Sequence, residues 1–160
     1  MSDYTDLRDR ICAVVQGVPD IGIVHGRTRY AADWTKYLDL FKTTIGGVQQ
    51  IRGWTVSRDA VESSPARFAA NEESWVFVIR GMLGLSDTLD TEGTLQELAD
   101  LVRRALDTHT DLGVSNVVDY GVGPASMRVC EPRMFGSALV NYCEITLPID
   151  LQVGVTFVAN

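Results

Sequence analysis

Apolar positions recur at a helical period in three stretches of the chain and alternate as in strands in five others. Leu7, Ile11, Val14 and Val15 mark an N-terminal helix, with Ser2 as its cap and Asp3 and Asp6 near its positive end. Gly17 and Pro19 stop it. Trp34, Tyr37, Leu38 and Phe41 lie at i, i+3, i+4 and i+7 and predict a short amphipathic helix over 31–42, broken by Thr43 to Gly47. The best-defined helix is 95–108. Leu95, Leu98, Leu101, Val102, Ala105 and Leu106 form its apolar stripe, Thr94 and Glu97 have capping-box spacing, and Asp100 and Arg104 make an i, i+4 pair.

Strands are expected at Ile21 to His25, from Val48 to about Arg58, over SWVFVIRGML (74–83), at Ser126 to Cys130, and from about Ala138 onward. The segment 74–83 is apolar on both faces, which belongs in the middle of a covered sheet. It is expected to pair with 48–58 across a long loop, DAVESSPARFAANEE (59–73). A second turn-rich loop, DYGVGP, precedes the strand at 126. In the last strand Leu139, Cys143, Ile145, Leu147, Ile149 and Leu151 share one face, and Pro148 suggests an edge position or a bulge. The sum is a single α+β domain over 1–160. Its mainly antiparallel or mixed β-sheet is packed by one long amphipathic helix plus an N-terminal helix.

Composition narrows the class. The 160 residues suffice for one sizeable core, and 46% hydrophobic with 22% charged residues is globular. A net charge of -7 argues against holding nucleic acid through its phosphates, which needs clustered Lys and Arg. Cys12, Cys130 and Cys143 lack CxxC spacing and are odd in number, which fits a reducing compartment. The N-terminus does not read as a signal peptide and no apolar run is long enough to span a membrane, so a cytoplasmic domain is expected.

Chemistry-bearing patterns are sparse. His25 and His109 lie in no metal-ligand spacing, and both read as structural. Gly121-Val122-Gly123 is followed by Pro124 instead of a helix, and Gly46-Gly47 lacks the Lys-Ser/Thr of a phosphate loop. Asp87, Asp90 and Glu92 miss the register of a calcium loop and read as solvation of the turn before the long helix. No catalytic residue, cofactor or metal is assigned.

The remaining features are those of an interaction protein. The loop at 59–73 is long, and with Arg58 it carries residue types that anchor interfaces, so Arg58, Arg67 and Phe68 are assigned to a contact surface. The β-prone, weakly charged stretch from Val153 to Val158, with Val155 and Phe157, is a second candidate for strand addition to a neighbour.

The order IRGWTVSRDAV, loop, WVFVIRGMLGLSDTLDTEGTLQELADLVRRAL resembles that of tail-terminator (tail-completion) proteins of long-tailed bacteriophages, of the Mu-like kind. The likeness is one of layout and spans about residues 48–150. It implies a structural virion subunit that forms a ring, expected to be a hexamer, on the head-proximal end of the tail. Such a ring stops tube polymerisation and offers the docking face for the head. The implied partners are further copies of the chain, the major tail tube protein and a head-completion or connector protein, with DNA only passing through the channel and no membrane. Assembly would take place in the host cytoplasm. Two alternatives stay open. One is another head–tail connector or completion protein. The other is a small α+β enzyme or ligand-binding domain, with a pocket drawn from Trp54, Trp75, His25 and Glu144.

Overall fold

The computed structural model describes residues 3–65 and 70–154. In chain order the elements are helix α1 (Asp3–Gln16), strand β1 (Ile23–His25), helix α2 (Trp34–Asp39), and strands β2 (Lys42–Ile45), β3 (Val48–Pro65) and β4 (Ala70–Gly84). Helix α3 (Thr91–Asp107) and strands β5 (Val117–Val122), β6 (Ser126–Phe135) and β7 (Ala138–Gly154) follow. The fold is α+β: three helices and one mixed seven-stranded sheet among the described residues. The strand order is β1-β3-β4-β7-β5, with β2 also on β3 and β6 also on β7. Only β1 runs parallel to its neighbour.

Strand alternation divides the sheet into two faces. Trp54, Val56, Trp75, Phe77, Ile79, Cys143, Ile145, Leu147, Ile149 and Leu151 turn toward the helices. Against them α1 buries Leu7, Ile11 and Val15, and α3 buries Leu95, Leu98, Ala99, Val102 and Leu106. On the opposite face, Leu38 of α2 and Phe41 pack on Met82, Val140 and Tyr142 in a smaller core. As expected from its doubly apolar sequence, β4 lies in the interior of the sheet between β3 and β7.

Several local expectations are corrected. The long helix begins at Thr91, capped by Asp90, whose side chain accepts from Gly93 N at 3.1 Å, so Thr94 and Glu97 are not its cap. Leu101 is 45% exposed and Ala99 takes its place in the stripe. Asp100 pairs with Arg103 at 2.9 Å, not with Arg104, because Arg103 also donates to the Ala125 carbonyl and is held on that side. Helix α2 is shorter than 31–42: Asp33 caps it, accepting from Lys36 N at 2.8 Å, and Lys42 already belongs to β2. The residues read as a helix break are a β-hairpin. Gly46 and Gly47, with φ of +59° and +80°, make the turn that joins β2 to β3, a backbone form open to glycine at no steric cost.

The expected loop at 59–73 is largely strand. β3 and β4 stay paired from Arg52↔Leu83 to Pro65↔Asn71, with a bulge between Arg58 and Ala60. Its residues show no period because Arg58 to Pro65 is exposed on both sides, so nothing selects an apolar face. Likewise Asp119 to Val122, expected in a loop, ends β5, and β6 runs on past Cys130 to Phe135. Pro148 lies inside β7, not at an edge, with β4 in register beside it (Val76↔Pro148). Its carbonyl accepts from Gly123 N at 2.9 Å, so its missing N–H faces the handover from β6 to β5, where no ladder bond is interrupted.

Candidate interaction surfaces

The outer parts of β3, β4 and β7 form an arm of the sheet, bordered on its β7 side by β5 as far as Leu151. β7 follows β4 out to Ala70↔Gly154, as β3 does to Pro65↔Asn71. Past Thr55 no described strand lies on the far side of β3, so its main-chain donors and acceptors from Val56 to Pro65 form a free edge. The bulge, Asp59, Glu62 and Pro65 are devices that keep such an edge from pairing indiscriminately. At the side of the arm, a groove of about 550 Å³ is lined by Glu62, Glu72, Glu73 and Asp150. None of these four forms an ion pair among the described residues, so the groove presents negative charge.

Arg58, assigned from sequence to a contact, sits at the base of this arm and is engaged within the chain. Its guanidinium carbon lies 4.3 Å from the ring centre of Trp75 and 5.0 Å from that of Tyr4, joining α1 to the sheet by cation–π contact. Trp75 in turn donates from Nε1 to Glu73 at 2.7 Å. Val153 pairs with Asn71 and packs against the helix-side core. Arg67, Phe68, Val155 and Phe157 lie outside the described residues.

Across the open face, Arg80 and Glu144 are direct cross-strand partners, with Arg80 Nε 3.5 Å from the carboxylate. Arg80 also donates to Ser57 Oγ at 2.8 Å. From β6, Arg133 lies 3.9 Å from Glu144 and 3.1 Å from Glu131, and its guanidinium stacks over the Tyr142 ring at 3.9 Å. The Tyr142 hydroxyl donates to Glu144. Burial, and then that hydrogen bond, hold the phenol well above its usual range. Charges and donors here satisfy one another, so the cluster acts as a polar clasp tying β3, β4, β7 and β6 together.

A third surface is apolar. Tyr30, Trp34, Tyr37 and Phe135 border a groove of about 640 Å³ between α2, the loop before it and the end of β6. Tyr37 stacks on Phe135 at 6.0 Å, and Trp34 stands edge-on to both. Trp34 rests on Gly136, where a Cβ would come within 2.4 Å of the indole. Tyr30 is 85% and Trp34 52% exposed, which leaves two large rings facing water. The sequence groups three of these aromatics, but Phe135 joins them only through the fold.

The pocket drawn from Trp54, Trp75, His25 and Glu144 does not form. The two tryptophans are buried in the helix-side core, whereas Glu144, between Cys143 and Ile145, points to the other face. His25 Nε2 donates to the Leu40 carbonyl at 2.8 Å and its ring meets Phe41 edge-on. His109 is exposed just past α3. Among the described residues no group of three His, Cys, Asp or Glu side chains is placed to hold a metal ion, and no helix is long and apolar enough to cross a membrane.

Burial holds the thiols protonated: Cys12 is pushed up to about 11 and Cys143 to about 12 from an ordinary 9.0, and Cys130 is also raised. Above pH 9 the unfolded chain loses these protons while the folded chain keeps them, so the unfolded state gains relative stability. The thermal midpoint is therefore expected to hold up to about pH 9 and to fall between pH 9 and 11. A midpoint that stays flat over that range would contradict the thiol environments.

No protein-family model matches the chain, and it has no match in sequence among curated proteins.

Proposed function

We propose that this protein is a structural subunit that assembles into a closed ring on the end of a phage tail tube and terminates the tube there. The observation that carries the reading is the arm. Past its pairing with β1, β3 runs on beside β4, and among the described residues it offers a free edge ten residues long from Val56 to Pro65. A subunit with an open, guarded edge is one whose sheet is suited to completion by a neighbour. The layout in which β3 and β4 precede a long amphipathic helix is the one that resembles tail terminators. Identical head-to-tail contacts that close on themselves yield a ring and stop growth, which is the job of a terminator. The acidic groove and the net charge of -7 suit a ring through which DNA slides without being gripped.

The test is the solution mass by light scattering, followed by negative-stain images of the protein alone and mixed with tail tubes of its own phage. The expected result is a ring of about six 17.6 kDa subunits, or density at one tube end only. A monomer or dimer that leaves tube ends bare would overturn the proposal.

A further inference from the structure

The aromatic groove lies beside the first residue of β7, at the other end of that strand from Gly154. Residues 155–160, Val-Thr-Phe-Val-Ala-Asn, follow Gly154 and carry no charged side chain, with Val155 and Phe157 two positions apart. The groove at Tyr30, Trp34, Tyr37 and Phe135 is of a size that takes small apolar groups, and two of its rings face solvent.

Within one chain the two cannot meet. Phe135 pairs with Ala138 at the first residue of β7, while residue 155 follows Gly154 at its far end. Seventeen residues of strand separate them by about 50 Å, and six residues reach about 20 Å at most. If residues 155–160 fill a groove, it is the groove of another copy. Each copy then offers one groove and, about 50 Å along β7 from it, the start of one segment. Such a contact is heterologous and propagates head to tail until it closes.

We propose that residues 155–160 of one copy dock in the aromatic groove of the next, with Phe157 seated against Trp34 and Tyr30. This names the contact that closes the ring, and it rests on the proposed function only for that closure.

The experiment uses variants blocked on one side each: Phe157→Asp for the segment, and Trp34→Ala or Tyr30→Asp for the groove. Tyr30 is so exposed that its replacement leaves the fold intact, which circular dichroism checks. Each variant alone is expected to lose assembly and run as a single 17.6 kDa subunit. Mixed, Phe157→Asp supplies a working groove and Tyr30→Asp a working segment, so the pair forms one contact and stops at a dimer of about 35 kDa, twice 17.6 kDa. Variants that keep the wild-type assembly, or a mixture that stays monomeric, would overturn the contact.

If the wild-type chain is monomeric without tubes, a peptide of residues 151–160 decides. Added to Phe157→Asp, it is expected to change the tryptophan emission along a saturating curve that Tyr30→Asp abolishes, and no change would count against the docking. A heterodimer without any ring or tube-end density would leave the contact standing and remove the terminator reading. A ring unaffected by these substitutions would do the reverse.

Discussion

Replacing Trp54 by alanine is expected to lower the unfolding free energy by about 3–5 kcal/mol. The indole is 1% exposed and lies in the helix-side core. Its Nε1 donates to the Ile21 carbonyl at 3.0 Å, tying the middle of β3 to the segment that leads into β1. The ring lies over Gly81 of β4, where a Cβ would come within 2.6 Å of it, so truncation opens a void bounded by three elements that are each held elsewhere. Such a site collapses poorly, and the cost sits at the upper end for large-to-small changes. Trp54→Phe keeps most of the packing and loses the hydrogen bond, so a loss of about 1–2 kcal/mol is expected. Urea unfolding monitored by far-UV circular dichroism measures both. Equal losses for the two variants would mean that the hydrogen bond, and not the packing, holds β1 to the sheet.

Gly22→Ala is expected to cost about 2–4 kcal/mol, combining backbone strain with overlap. Gly22 has a φ of +89°, and its Cβ would come to 2.3 Å from the Arg52 carbonyl oxygen, a backbone atom with no rotamer to yield. Relief requires β1 to move away from β3, which strains the parallel pairing Ile23↔Gly53. Gly113→Ala is the control. There φ is +68° but no atom lies within 4 Å of the added carbon, so only the left-handed strain of about 1–2 kcal/mol is expected. If both variants unfold at the same urea concentration, the close approach of β1 to β3 is not a constraint.

The candidate interaction residues stand out in the sequence to different degrees. Val155 and Phe157 stand out by type alone, as an apolar pair on uncharged, β-prone chain. Arg58 stands out too, but its sequence neighbours say nothing of Tyr4 and Trp75, which occupy its guanidinium from across the fold. From sequence, Glu144 is grouped with Trp54, Trp75 and His25 as the lining of a pocket. Only the register of β7 against β4 and β6 places it between Arg80 and Arg133. The Gly46-Gly47 pair was the most readable of the missed signals. It is a hairpin signature flanked by β-branched residues, hidden by the helical spacing that runs into it from Trp34.

By itself the sequence determined what burial patterns record: an α+β domain, helices α1 and α3 with their buried stripes, the doubly covered β4, and the core face of β7. These elements each bury a face, and a buried face writes its period into the residues that form it. The tertiary structure alone decided the arm from Asp59 to Pro65 and Ala70 to Glu73, the clasp around Glu144, and the groove that brings Phe135 to Trp34. Their stabilisation comes from main-chain ladders and from side chains distant in sequence. Backbone hydrogen bonds are the same for every residue type, so a strand exposed on both faces leaves no period to read.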